Sequence, residues 1–181
     1  MKKSLFVVIV LLAVSWKLQA QTETKKLTFS FKGGYNHTVI DGCETNGIKT
    51  GFTGSTIYGA FVIEKGITES KFFNTALLFS WVNDWHFLEI PFHYRQKLNR
   101  KTSIFAGPKV DLAADKFDKT KESTSKLLGI SAEIGAQYNF SMHVFAETEY
   151  SIGISRSFND TSFDINSGRR DNFRIGIGYY F

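Results

Sequence analysis

The sequence predicts an all-β protein: an eight-stranded antiparallel up-and-down transmembrane β-barrel spanning residues 21–181, behind a cleaved signal peptide at 1–20. Three observations carry this. Eight segments alternate apolar and polar residues with the period of two that puts successive side chains on opposite faces of a strand. Aromatics make up 15% of the chain, with 18 Phe, and Pro numbers only two, a balance that favours strands. No apolar run after the first twenty residues is long enough for a spanning helix. A membrane form must then be a closed barrel, because lipid cannot satisfy an open sheet edge.

The leader comes first. Lys2 and Lys3 form a positive start, Phe6 to Val14 a short apolar core, and Leu18 and Ala20 a cleavage region. The apolar run is about half the ~20 residues that a spanning helix needs. Gln21, not a cysteine, follows the cut, which argues against a lipoprotein anchor. Cleavage removes three lysines and lowers the net charge from +5 to +2. That is too little to argue for nucleic acid as a partner. The single cysteine, Cys43, cannot form an internal disulfide, so the fold stands without covalent staples.

The eight segments lie at 27–36, 55–65, 71–82, 85–98, 102–113, 126–139, 143–156 and 171–181. Most approach the ~9–11 residues with which a tilted strand crosses a bilayer. The first sets Phe29 and Phe31 against Ser30, Lys32 and Gly34. The second and third alternate less cleanly. The fourth sets Leu88, Ile90, Phe92 and Tyr94 against Glu89, Pro91, His93 and Arg95. The fifth sets Ile104, Ala106, Pro108, Val110 and Leu112 against Phe105, Gly107, Lys109 and Asp111. In the sixth, Ile130, Ile134 and Tyr138 oppose Ser131, Glu133 and Gln137. In the seventh, Val144, Thr148, Tyr150 and Ile152 oppose Phe145, Glu147, Glu149 and Ser151. The last sets Phe173, Ile175, Ile177, Tyr179 and Phe181 against Arg174, Gly176 and Gly178.

Connections after the second, fourth and sixth segments are short. Those at 37–54, 114–125 and 157–170 are long and polar, whereas Asn83-Asp84 is short. Short turns at one rim and longer loops at the other characterise outer-membrane barrels. Two assignments of the faces fit: a soluble barrel with its apolar face inward, or a membrane barrel with that face outward. Glycines crowd the polar face, where a narrow interior needs small residues and a solvated exterior does not. Aromatics on the apolar face gather near strand ends, with Tyr94, Tyr138, Tyr179 and Phe181 at the short-turn rim and Tyr35 and Trp81 at the other, as interfacial girdles do. Both point to the membrane form.

The stretches Phe29–Asn36 (FSFKGGYN), Leu88–Arg95 (LEIPFHYR), Ile104–Leu112 (IFAGPKVDL) and the closing FRIGIGYYF resemble the PorT-like, or porin-family, small outer-membrane β-barrel proteins. The resemblance spans essentially the whole mature chain. It implies an eight-stranded barrel in the outer membrane of a Gram-negative cell. It also implies a terminal aromatic signal, Tyr179 and Phe181, read by the barrel-assembly machinery. The family label assigns no activity. Pro91 and Pro108 each remove a ladder donor, which suggests a bulge or local kink, or family-wide packing, rather than a site.

The polar face places Glu64, Glu89, Asp111, Glu133, Glu147 and Glu149 in the lumen with Lys32, Arg95, Lys109, Arg174 and His93. A lone charge there is costly, so mutual pairing is expected. The expected function is non-enzymatic: a salt-bridged polar lumen, with structural or binding roles in the outer loops. The alternative is a small pore for ions or very small solutes. An eight-stranded barrel is about filled by its own side chains, which favours the plug. Glu147 and Glu149, roughly 7 Å apart along one strand, are a paired-carboxylate motif without an evident substrate pocket. His37 and His143 lie at opposite rims, His86 and His93 differ in parity, and Cys43 lacks a partner, so no catalytic or metal set is expected. No cofactor is expected. The expected partners are lipid, lipopolysaccharide and the assembly machinery, and the barrel is expected to be a monomer. The basic stretches at 116–126 and at Arg169-Arg170 sit in outer loops, where they could touch anionic lipopolysaccharide.

Overall fold

The chain is described by a computed structural model covering residues 27–43, 47–82, 85–114, 128–156, 158–160 and 165–181. The proposed leader, Asn83-Asp84 and the basic stretch at 116–126 lie outside the described residues.

Nine strands follow one another: β1 (Leu27–Cys43), β2 (Lys49–Gly66), β3 (Lys71–Val82), β4 (Trp85–Lys97), β5 (Thr102–Ala114), β6 (Leu128–Asn139), β7 (Val144–Gly153), β8 (Phe158–Asp160) and β9 (Ile165–Tyr180). Eight of them, β1–β7 and β9, pair in sequence order, all antiparallel, and β1 pairs with β9 to close the barrel. The closing ladder runs without a slip from Ser30↔Tyr180 to Asp41↔Arg169. The three-residue β8 rides on the start of β9.

The barrel is inside out relative to a water-soluble core. Among the described residues, twenty-one buried side chains are polar or charged and nine are apolar, the reverse of a water-soluble interior. Ile177, Ile134 and Ile57 on the outer wall are 63%, 62% and 60% exposed. Aromatic pairs ring the short-turn end: Phe29 with Phe61, Phe73 with Tyr94, Tyr138 with Phe140 and Tyr179 with Phe181. Tyr35 and Trp81 are exposed towards the other end.

The β2–β3, β4–β5 and β6–β7 turns are each pinned by one side chain. Thr68 Oγ1 accepts from the amides of Ser70 and Lys71, Asn99 Oδ1 from Lys101 and Thr102, and Ser141 Oγ from His143 and Val144. Such side-chain turns fix hairpin register at little cost.

Three expectations need correction. Most of the segment 37–54 is strand: 37–43 belong to β1 and 49–54 to β2, which pair out to Cys43↔Lys49. Its Gly, Thr and Ser content reads as loop chemistry, but the ladder with β1 overrides it. The last strand starts at Ile165 rather than at 171, so Arg169 and Arg170 belong to the barrel wall. Pro91 and Pro108 introduce no bulge. The β4–β5 register is the same on both sides of them, with a ladder gap between Pro91↔Lys109 and Tyr94↔Ala106.

β2 and β3 face both ways with apolar groups, which is why their alternation is blurred. Tyr58, Ala60, Val62, Ala76 and Leu78 form a buried apolar patch on the inner wall, while Phe61, Leu77 and Phe79 face outward.

Candidate functional site

The site is the barrel axis. Strand alternation aims every second side chain inward, and the closed ladder brings residues far apart in sequence to one level. Lys32, Glu64, Glu89, His93, Arg95, Lys109, Asp111, Glu133, Glu147, Glu149 and Arg174 are all buried there.

Glu89 on β4 is the hub. It accepts from Lys109 Nζ at 2.6 Å, Arg170 Nη2 at 3.0 Å, Ser80 Oγ at 2.7 Å and Arg174 Nη2. Arg174 also reaches Glu133 at 3.2 Å, Glu149 at 3.7 Å and Asn36 at 3.0 Å. His93 Nε2 lies 2.9 Å from Glu133. Towards the end opposite the short turns, the hairpin end, where β1 and β2 run out to Cys43 and Lys49, Lys109 and Arg170 sit 3.2 and 3.5 Å from Asp111, which also accepts from Ser131 Oγ. Towards the turn end, Lys32 contacts Glu147 at 2.6 Å and pairs with Glu149. Tyr58 donates to Glu147 at 3.1 Å. Last comes Arg95, paired with Glu64 and bonded to Gln137 at 2.7 Å and Tyr180 at 2.8 Å.

Arg170 corrects the sequence reading. It is 6% exposed, inside the barrel rather than in an outer loop, with its guanidinium carbon 3.7 Å from the centroid of the Phe87 ring. Continuing the alternation of β9 upstream from Arg174 through Asn172 would have placed it there. With Arg170, five permanent cations and His93 face six carboxylates among the described residues. Asn36, Thr38, Ser80, Ser151 and Asn172 complete the network. Uncharged, they carried no signal in the sequence beyond their parity.

Aromatic rings fill the remaining width. A Cβ on Gly178 would meet the Phe145 ring, with two ring carbons at 2.6 Å, and one on Gly176 would meet the Tyr58 hydroxyl. Gly178 is the cross-strand partner of Phe145, and Gly176 lies two strands from Tyr58, so the two glycines leave room for rings lying along the same side of the wall. Glu89, Lys109, Asn36 and Thr38 are 0% exposed. A cavity of about 20 Å³ between Lys32, His93, Arg95, Gln137 and Glu147 has room for about one water.

The other histidines lie apart. His37 bonds Ser55 at 2.9 Å on the outer wall, and His143 stacks on Tyr179 at the turn end. Among the described residues, no three His, Cys, Asp or Glu side chains are placed to hold a metal ion.

Two solved structures share this architecture. The attachment invasion locus protein Ail of Yersinia pestis, in complex with the heparin analogue sucrose octasulfate, aligns with a TM-score of 0.56 at 13% identity, over 86% of this chain and 99% of Ail. Neisserial surface protein A aligns with a TM-score of 0.54 at 12% identity, over 86% of this chain and 99% of that one. The fold is that of a small eight-stranded barrel. No protein-family model and no curated protein sequence matches the chain.

Proposed function

We propose that the chain is a monomeric outer-membrane β-barrel protein of a Gram-negative cell, exported by a leader cleaved after Ala20, with a sealed lumen and a binding role at its hairpin end. The observation that carries the sealed lumen is the ion network around Glu89 and Arg174, with buried side chains from opposite staves meeting on the axis. The apolar outer wall and its aromatic pairs support the bilayer setting. Tyr179 and Phe181 serve as the assembly signal, and lipid and lipopolysaccharide surround the wall. Within this class we assign the chain to the PorT-like group. The LEIP and AGP stretches on which the assignment rests form the β4–β5 hairpin.

The hairpin end supports a binding role. β2 pairs with β3 only from Gly66 to Tyr58 but with β1 as far as Lys49. Beyond Ser80, β1, β2 and β9 continue as a projecting sheet. Among the described residues, the 49–55 edge of β2 has no neighbouring strand on its other side. An open edge lets an extended segment of another protein add a strand through main-chain hydrogen bonds.

The test is conductance. The refolded barrel should insert into a planar bilayer without discrete current steps. Steps that change with Arg174→Ala or Glu149→Ala would favour the small-pore reading instead.

A further inference from the structure

At the turn end the network stops at Arg95, and the barrel opens into a cup of about 1130 Å³. Phe72, Arg95, Lys97, Asn139 and Tyr180 share the inward parity of their strands and line it, while the turns between β2 and β3, β4 and β5, and β6 and β7 form its rim. The side-chain hydrogen bonds of Thr68, Asn99 and Ser141 hold all three turns in place.

The cup is cationic. Lys97, Arg100 and Lys101 have no carboxylate within 4.0 Å among the described residues. Lys97 Nζ lies 4.5 Å from the Phe72 ring centroid and Lys101 Nζ 6.0 Å from that of Tyr138. Glu64 is taken up by Arg95, which leaves Glu69 as the other acidic side chain in the lining. The apolar lining is Phe72 on the inner wall and Phe140, Met142 and Phe181 on the exposed rim.

We propose that this cup binds an acidic peptide segment of another protein, its carboxylates on Lys97, Arg100 and Lys101 and its apolar side chains against Phe72 and Phe140. Phe72, Arg95 and Lys97 hold the inward parity of their strands, so this part of the cup opens to the aqueous phase rather than to the bilayer. A free phosphate would meet the charge but leave the apolar walls uncovered, and the cations sit on two separate parts of the rim and wall. Concave sites that mix apolar walls with a few placed charges suit such ligands. This inference is independent of the binding role at the hairpin end.

The test uses the barrel refolded in detergent micelles and a fluorescein-labelled peptide of alternating glutamate and leucine, read by anisotropy. Lys97→Gln/Arg100→Gln/Lys101→Gln should weaken binding by about tenfold or more, a loss of about 1.4 kcal/mol or more. Arg169→Gln, at the opposite end, should bind like the parent. Binding should also fall as salt rises from about 50 to about 200 mM. Arg100→Gln alone, on an exposed turn, gives the same reading with a smaller loss if the triple variant does not fold. Unchanged affinity in these variants, equal binding of a lysine–leucine peptide, or complete displacement by equimolar inorganic phosphate would each overturn the proposal.

Discussion

Arg174 on β9 donates to Glu89 on β4 from the opposite wall of the barrel, with three staves between them on either side. The pair is a cross-brace, and it holds Glu133 and Glu149 through the same guanidinium.

Removing this brace should be costly. Arg174→Ala takes one cation from three buried carboxylates, Glu89, Glu133 and Glu149, which keep Lys109 and Arg170, His93, and Lys32 as other partners, and breaking a buried pair costs about 3–5 kcal/mol. Urea titration of the refolded barrel measures this. A loss below about 1 kcal/mol, the range of an exposed pair, would show that the axis is wet rather than packed.

The fit between Gly178 and Phe145 makes a second prediction. Gly178→Leu would drive a side chain into the Phe145 ring and should cost about 1–3 kcal/mol by overpacking. With Phe145→Ala alongside, the leucine has somewhere to go. The double variant should be more stable than the sum of the two single losses by about 0.5–3 kcal/mol. Strict additivity in the same denaturation series would mean that the two sites do not touch in solution.

The outer wall makes a third. Ile177 is 63% exposed on β9 between Gly176 and Gly178, which both face inward. If Ile177 lies near the bilayer midplane, Ile177→Arg should cost about 2–4 kcal/mol, whereas Ile177→Leu should be nearly neutral. Refolding titrations in lipid vesicles compare the two. Equal tolerance of arginine and leucine would reverse the faces.

The barrel was legible because its signal is one of parity. β4 to β7 alternate so regularly that Glu89, Lys109, Glu133 and Glu149 could be aimed at one axis before their partners were known. Parity says which face a residue takes but not how far a strand runs. The segment 37–54 carries loop-like Gly, Thr and Ser, yet its 37–43 and 49–54 parts pair with each other as strand out to Cys43↔Lys49. Arg170 was misplaced for the same reason, because the strand that carries it starts six residues earlier than the alternation is clear. In β2 and β3, apolar groups on both faces erased the signal. Tyr58 and Leu78 face inward because rings and aliphatic groups fill the inner wall beside the long charged chains, as where Arg174 lies over Tyr58 at 5.6 Å.

Phe181 separates assembly from stability. Its side chain is 72% exposed, and its backbone is tied by the amide, which donates to Phe29 O at 3.0 Å. Phe181→Ala keeps that bond and gives up one exposed aromatic contact, with Tyr179 at 6.0 Å. An aromatic pair is worth about 0.5–1.5 kcal/mol, so the refolded variant should unfold in urea close to the parent. If the terminal aromatic is read during assembly, the same variant should be depleted from the outer membrane of expressing cells. Quantitative blotting of membrane fractions beside the urea titration makes the distinction. Unchanged membrane levels would leave Phe181 as one more ring in the girdle, and a parallel loss of stability would assign the depletion to folding.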